Sequence, residues 1–272
     1  MREVIRHCCI RLSRSPVGQT LLSRIVAQLD LWRGYGTGAY VSSSGEQVLF
    51  ELVRSQASTT SDVVVLDVGA NVGDFTAAAF GTLPRSRVHA FEPQREIFQK
   101  LVTRFKHDRR ITLNNTALGR SPGEMPIYGF NGDSGMASLL ERNLAHLGMS
   151  ASLQEMTKVE RLTDYCEKYG VSQINLLKMD VEGFELEVLA GSEKLFADGK
   201  VQMCSFEFGG CNLDSRTFLG DFYEFFERHG MIIHRITPSG TVVPLRRYSE
   251  SLERFSTTNY VAMRVDCFSK KL

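Results

Sequence analysis

The stretch that decides the fold runs from Val63 to Phe75 and reads VVVLDVGANVGDF. Its first part, Val63–Leu66, is a continuous run rich in β-branched residues, which is typical of a strand buried on both faces of a sheet. The run then meets Gly69 and Gly73, and glycine lets the backbone turn tightly and approach a ligand closely. The stretch therefore predicts a strand, a tight turn and the first residues of a helix.

The same alternation of strand and helix continues along the chain. Apolar runs predict further strands at 87–91, 111–114, 174–179, 201–208, 231–236 and 259–264. Residues with helical spacing of apolar side chains separate most of them, at 74–83, 94–106, 161–169, 182–197 and 216–229. This order predicts an α/β fold in which a mostly parallel, seven-stranded sheet has helices on both faces. Turn signals at 238–245 predict that the last strand runs antiparallel at the edge of the sheet.

Composition excludes several classes of protein. The 272 residues are 43% hydrophobic and carry a net charge of +1, which excludes a disordered chain and does not indicate a strongly basic nucleic-acid binder. No apolar run reaches the 18 or more residues of a membrane span. The six cysteines are scattered without a C-x-x-C pair, which favours reduced thiols and a cytoplasmic protein.

Two segments fall outside this alternation. Residues 1–45 predict a helical extension to about residue 33 and then a Gly/Ser-rich loop, in front of a main domain at 46–272. The first 29 residues are rich in arginine and poor in acids, so a transit peptide is the alternative to a helix lying on the main domain. Residues 123–152 read as irregular and begin with a hairpin-like piece, GEMPIYGF, and so long an irregular segment in a compact domain is typical of a functional loop.

A nucleoside site is predicted where the first two strands end. Glu92 follows the second strand and lies 19 residues after Gly73. An acid at this place accepts hydrogen bonds from the two ribose hydroxyls of a bound nucleoside. Because the carboxyl ends of parallel strands meet at one edge of the sheet, Glu92 and the glycine turn are expected to face one crevice.

The turn departs from the pattern of dinucleotide enzymes, G-x-G-x-x-G. Asn71 stands at the second glycine position and Asp74 at the third, and an acid at a helix start repels a pyrophosphate. Asp74 and Asp67 suit instead the sulfonium and ammonium groups of S-adenosylmethionine. A nicotinamide-dependent oxidoreductase and a non-catalytic nucleoside-binding protein are the alternatives.

Two more acids follow predicted strands. Asp180 ends the strand in INLLKMDVEGFELEVLAG, residues 174–191, and Glu182 in the same segment has an equally good explanation as a helix cap. Glu207 lies in the apolar strand MCSFEF, where an unpaired carboxylate is costly, so it needs a partner: a backbone amide, a divalent cation shared with Asp180, or the substrate. We therefore predict Asp180 and Glu207 as catalytic residues, and as ligands if Mg²⁺ is bound.

Taken together, DVGANVG, FEP, ALG, LLKMDVEGFELEVLAG, FEF and TNYVAMR resemble the FkbM-type family of S-adenosylmethionine-dependent methyltransferases, over about residues 46–265. The resemblance implies a class I methyltransferase (Rossmann-like) fold and methyl transfer to a hydroxyl oxygen of a sugar, polysaccharide or natural product. It also implies that Glu92 holds the ribose and that Asp180 lies near the sulfonium or the acceptor. Further residues implied in donor binding are, for the methionine part, Asp67, Gly69, Asn71 and Gly73, and for the adenine, Thr116 and Ala117. The expected partner is a small-molecule or glycan acceptor, with its identity and the oligomeric state left open.

Overall fold

The computed structural model describes residues 10, 13–38, 43–56, 62–130 and 133–265. Twelve strands are found in these residues: β1 (Val63–Val68), β2 (Ser86–Phe91), β3 (Ile111–Asn114), β4 (Ala117–Leu118), β5 (Gly123–Phe130), β6 (Asp133–Ser138), β7 (Ser152–Glu160), β8 (Leu176–Met179), β9 (Met203–Phe208), β10 (Met231–Ile236), β11 (Val242–Pro244) and β12 (Thr258–Arg264).

The α-helices of the same residues are α1 (Pro16–Arg33), α2 (Gln47–Gln56), α3 (Asp74–Thr82), α4 (Arg95–Phe105), α5 (Leu162–Tyr169), α6 (Glu185–Gly191), α7 (Glu193–Ala197), α8 (Cys211–Ser215) and α9 (Leu219–Arg228). Short 3₁₀ turns lie at Ala145–Leu147 and Glu250–Leu252. Most of these elements lie within a few residues of their predicted positions.

The central sheet has eight strands in the order β11-β10-β12-β9-β8-β1-β2-β3. Strands β3, β2, β1, β8 and β9 are parallel neighbours, as the alternation of elements predicts. Helices cover both faces, because alternate residues of β1 join two different core clusters: Leu66 packs with α5, α6 and α9, and Val65 packs with α2, α3 and α4. The α/β architecture is therefore confirmed.

Two details of the predicted sheet are wrong. Strand β12 is antiparallel, but it lies between β9 and β10 and not at the edge. Its residues explain this position, since Thr258–Met263 are all buried and such a strand must be covered on both faces. The eighth strand, β11, forms the edge instead, and Pro244 at its end suits an edge because proline donates no hydrogen bond to a neighbour.

A second sheet replaces most of the predicted irregular segment. Its four strands have the order β4-β7-β5-β6, and β5 and β6 form a hairpin. Ile127, Leu139 and Val159 pack against Phe184, which joins this sheet to the segment after β8. Irregular residues remain only in part of the segment, around the 3₁₀ turn.

The predicted helix at 182–197 is two short helices, α6 and α7. The break follows Gly191, where a side chain would meet the backbone oxygen of Gly119 at 2.0 Å. Glu182 and Gly183 precede α6 with positive φ angles of 54° and 98°, so the chain makes a tight loop before the helix begins.

Helix α1 lies in the second half of the predicted helical extension, and residues 1–9, 11 and 12 of that prediction lie outside the described residues. The side chains of α1 are mostly in solvent. Gly18 is its one buried residue, and Val17 and Trp32 are 80% and 68% exposed. The chain is held where the helix ends: Tyr35 is buried, and Arg235 of β10 donates a hydrogen bond of 2.5 Å to its hydroxyl. No helix in the described part of the chain is long and apolar enough to cross a membrane. The division at residue 45 stays a prediction.

Candidate active site

A cavity of about 660 Å³, measured with its open mouth, lies where β1, β2 and β8 end. Six of the residues predicted for the site line the cavity: Gly69, Asn71, Glu92, Thr116, Ala117 and Asp180. The structure therefore brings residues from four separate parts of the sequence into one crevice at the carboxyl edge of the sheet.

The walls of the cavity are largely apolar. Phe91 lies on the side of the central sheet, and Ile127 and Leu139 come from the second sheet and the residue that follows it. Phe184 lies in the same wall and packs with both. An apolar slot with a few polar groups at one end is what a nucleoside ligand requires.

The glycine turn after β1 touches the loop after β8. Gly69 has a φ of +79°, and a Cβ atom on it would lie 1.8 Å from the backbone oxygen of Asp180. The Asp180 amide in turn donates a 3.0 Å hydrogen bond to the Val68 carbonyl. Glycine is required at position 69 because two backbones meet there.

Two of the residues predicted to contact the donor do not line the cavity. Asp67 is fully buried below the turn, where it accepts a 2.7 Å hydrogen bond from the Thr76 hydroxyl. Gly73 has a φ of +86°, and a side chain on it would meet Phe105 at 2.4 Å and Leu101 at 2.6 Å. In this structure both residues support the turn from beneath it.

Asp74 also faces away from the cavity. Its carboxylate accepts a 2.6 Å hydrogen bond from Arg104, and its side chain is 70% exposed. Asp74 is therefore not placed to repel a pyrophosphate or to attract a sulfonium in this cavity, because its charge is paired with Arg104 on the outside. The acids that do line the cavity are Glu92, Asp180 and Glu182.

Glu92 is buried, and backbone amides fix its orientation. One carboxylate oxygen accepts from the Asn71 amide at 2.9 Å and the other from the Gln94 amide at 2.8 Å. Burial outweighs these bonds and raises the pKa of Glu92 to about 7. A carboxylate has about four acceptor positions, so roughly two of them remain for hydroxyl groups of a ligand.

Asn71 provides a second polar feature of this end of the cavity. Its backbone has a φ of +47°, and its side-chain oxygen is buried without a hydrogen-bond partner among the described residues. A buried acceptor without a partner is costly unless a ligand supplies the donor. The residues present therefore fit a ligand that carries both hydroxyl and amino groups.

Three carboxylates converge beside this cavity. One oxygen each of Asp180, Glu182 and Glu207 lies within 4.8 Å of the others, so the two predicted acids are brought together with a third. Burial, and then the charges of Asp180 and Glu182, raise the pKa of Glu207 well above its usual range. Carboxylates this close share protons or a cation, because their charges repel one another.

Glu182 is held by an arginine. Arg142 is buried and donates hydrogen bonds to Glu182 and, at 3.3 Å, to Asp214. Burial, followed by the charge of Asp180, raises the pKa of Glu182 to about 8 in spite of this arginine. Glu182 was the residue with two equally good explanations, and its place in the lining of the cavity favours the functional one.

The loop after β8 that carries Asp180 and Glu182, residues 180–184, is called the acid loop below. Sequence reasoning missed two residues that support it. Glu185 is buried and accepts hydrogen bonds from the amides of Val181 and Gly183 at 3.1 and 3.3 Å. Lys178 is buried in β8, and its ammonium lies 3.2 Å from Asp180 and 3.6 Å from Asp67. Burial acts to lower the pKa of Lys178, but the charges of these acids outweigh it and raise the pKa. A charged residue inside the apolar run LLKM was the signal that could have identified Lys178.

Comparison with known proteins gives the family. The model of the family described as "Methyltransferase FkbM domain" matches residues 67–233, more than half of the chain. The 31-O-demethyl-FK506 methyltransferase FkbM of Streptomyces tacrolimicus is 32% identical over 203 residues, which cover 63% of this chain and 78% of that protein.

Two further relatives are similar over shorter lengths. The 2-O-methyltransferase NoeI of Sinorhizobium fredii is 25% identical over 49% of this chain and 58% of its own length. The hexuronic acid methyltransferase AglP of Haloferax volcanii is 31% identical over 54% of this chain and 56% of its own. The chain thus spans little more than half of these two proteins. The match to the family model and the similarity to FkbM over most of its length establish that this chain belongs to the FkbM family of methyltransferases.

Proposed function

We propose that this protein transfers a methyl group from S-adenosylmethionine to a hydroxyl oxygen of a sugar, polysaccharide or natural product. The observation that carries the proposal is the pairing of Glu92 and Asn71 at one end of the cavity with three carboxylates beside it. The first pair suits a nucleoside with an amino acid part. The carboxylates suit a hydroxyl group that must lose its proton.

The donor half rests on the acceptor positions that remain on Glu92 beyond its two amide hydrogen bonds, and on the Asn71 side-chain oxygen, which has no partner among the described residues. Glu92 would accept hydrogen bonds from the ribose hydroxyls, and the Asn71 side-chain oxygen would accept from the ammonium of the methionine part. The slot beside Thr116 and Ala117 would hold the adenine between apolar side chains. When bound, S-adenosylmethionine supplies an electrophilic methyl group on a positively charged sulfur.

The acceptor half rests on Asp180 and Glu207. In the transfer the acceptor oxygen forms a bond to the methyl carbon, the carbon–sulfur bond breaks, and its electron pair stays on sulfur. The hydroxyl proton passes to a carboxylate, for which Asp180 is suited because its side chain is 41% exposed and lines the cavity. Orientation of the two reactants accounts for most of the remaining rate enhancement.

A second version of this step uses a metal ion. Asp180 and Glu207, with Glu182, offer an all-oxygen ligand set of the kind Mg²⁺ binds, and the ion would lower the pKa of the acceptor hydroxyl. Turnover measured with excess EDTA and again after Mg²⁺ is restored separates the two versions. Full activity in EDTA excludes the metal version, and a loss that Mg²⁺ reverses excludes the version without metal.

The acceptor class rests on the relatives and not on the cavity. The names of three relatives describe methylation of 31-O-demethyl-FK506, 2-O-methylation and methylation of a hexuronic acid. A hydroxylated small molecule or glycan is the acceptor class that these names share. A cytoplasmic location and the absence of a nucleic-acid partner stay predictions.

Titration of the protein with S-adenosylmethionine and, separately, with NAD⁺ tests the donor directly. We expect binding of the first and not of the second, and the opposite result would favour an oxidoreductase. Glu92→Gln should weaken binding about 10–150-fold, because one charged hydrogen-bond partner is worth roughly 1.5–3 kcal/mol. Glu96→Gln is the matched control, since Glu96 is nearby in sequence but 84% exposed. Transfer of labelled methyl groups to a panel of sugars and polysaccharides then tests catalysis against mere binding.

A further inference from the structure

Lys178 is a charged residue that the proposed chemistry does not use. It lies in β8, whose other residues are apolar and buried, and its side chain is 9% exposed. An ammonium ion in such a place is costly unless opposite charges surround it. Its position next to Gly69 and Asp180 therefore calls for an explanation from its neighbours.

The ammonium of Lys178 contacts three polar groups from two segments. It lies 3.4 Å from the Gly69 carbonyl, 3.2 Å from a carboxylate oxygen of Asp180 and 3.6 Å from one of Asp67. That Asp67 oxygen has no hydrogen-bond partner within the described ranges. Lys178 thus sits beneath the place where the glycine turn and the acid loop touch.

Two of these groups, Gly69 and Asp180, line the cavity, so the charge of Lys178 is close to any ligand there. With Lys178 charged, the group formed by Lys178, Asp67 and Asp180 has a net charge of about −1, and without the ammonium it would have about −2. S-adenosylmethionine and its product, S-adenosylhomocysteine, differ by one methyl group and by the positive charge on sulfur. A change in this local charge therefore changes the affinity for S-adenosylmethionine relative to the affinity for S-adenosylhomocysteine.

Resting on the proposed function, we propose that Lys178 sets how strongly the cavity prefers the charged donor to the neutral product. Its ammonium offsets part of the negative charge of Asp67 and Asp180, which limits the electrostatic advantage of a sulfonium over a thioether. Lys178 is in this sense a specificity-determining residue that acts through charge and need not touch the ligand.

The test is the ratio of two dissociation constants, that of S-adenosylhomocysteine divided by that of S-adenosylmethionine, measured by titration at pH 8. A unit charge roughly 10 Å from a sulfonium, at an effective dielectric constant of about 20, changes affinity roughly tenfold. Lys178→Met should therefore raise the ratio by about tenfold, and Asp67→Asn should lower it by a similar factor. Lys178→Arg should leave the ratio within about twofold of the wild-type value.

A packing role would look different. If Lys178→Met weakens both ligands by the same factor and the ratio stays constant, the inference is overturned. Where Lys178→Met fails to fold, Asp67→Asn decides in its place, because its asparagine still accepts the Thr76 hydrogen bond, and an unchanged ratio again overturns the inference. The double variant Asp67→Asn/Lys178→Met restores the local charge and should restore the ratio. A wild-type protein that binds neither ligand would overturn the proposed function itself, which is a separate outcome.

Discussion

Replacing Glu92 by glutamine should remove a loss of stability that the wild-type protein undergoes as the pH rises, and it should weaken donor binding. Burial raises the pKa of Glu92 to about 7 from an ordinary value of 4.5. The folded protein therefore holds a proton that the unfolded chain has lost between these two values. Stability contributed by the protonated carboxyl is fully present below pH 4.5 and is lost as the pH rises through 7.

The magnitude follows from the two pKa values. A difference of one pH unit corresponds to about 1.4 kcal/mol, so the folded protein loses about 3 kcal/mol of unfolding free energy once Glu92 is fully ionised. Glutamine does not ionise and escapes this loss. It also places an amide group against one of the two backbone N–H donors, Asn71 or Gln94, at a cost of roughly 1–3 kcal/mol that does not depend on pH.

Urea unfolding of the wild type and of Glu92→Gln at several pH values from 5 to 8.5 measures the effect. The difference in unfolding free energy between the two proteins should shift towards the variant by about 3 kcal/mol across this range. Glu96→Gln should give a flat profile, since the Lys100 side chain holds the pKa of Glu96 below its ordinary value. A flat profile for Glu92→Gln would refute the reasoning, and so would a slope of the opposite sign.

Three further predictions address the turn and the acid loop. Gly73→Ala should lower the free energy of unfolding by roughly 1–3 kcal/mol, because its Cβ would overlap Phe105 and Leu101. Gly81→Ala, in an open helical position, is the control and should raise the free energy of unfolding by about 1 kcal/mol. Thermal or urea unfolding compares the two variants. Gly69→Ala should abolish donor binding in titration, since the acid loop would have to move, and normal affinity in the variant would contradict the role of the turn. Asp180→Asn should weaken donor binding by about tenfold, because one negative charge beside the cavity is lost, and should reduce turnover at saturating donor by about 10²-fold or more; near-normal turnover would exclude Asp180 as the proton acceptor.

The parallel part of the fold and one end of the cavity could be predicted because the signals there are local. The run Val63–Leu66, the glycine turn and Glu92 lie within 30 residues of one another, and each has one physical explanation. The residues implied by family resemblance, Thr116 and Ala117, also reach the cavity. Positions alone could not separate Gly69 from Gly73, because only the packing shows that one touches the acid loop and the other touches α4.

The rest depends on contacts between distant residues. The hairpin-like piece at 123–130 is β5, but its pairing with β7 joins residues up to 36 positions apart, Gly123 and Val159, and has no local signal. The place of β12 is set by which neighbours cover it, and no local pattern contains that information. The partners of Lys178 and Glu182 come from segments up to 111 residues away (Lys178 and Asp67), so their roles appear only when the chain is folded.

The second sheet begins and ends at the same place on the molecule. Strands β4 and β7 are paired side by side, with Ala117 opposite Val159, and the Gly119 amide bonds to the Glu160 carbonyl. The described residues between 119 and 158 are therefore an insertion whose two ends leave the main domain side by side. Ile127 and Leu139 of this insert line the cavity, and its Arg142 holds Glu182, so the insert supplies one wall of the site and the central sheet supplies the other. A change within this one segment therefore alters the lining of the cavity without changing any strand of the eight-stranded sheet.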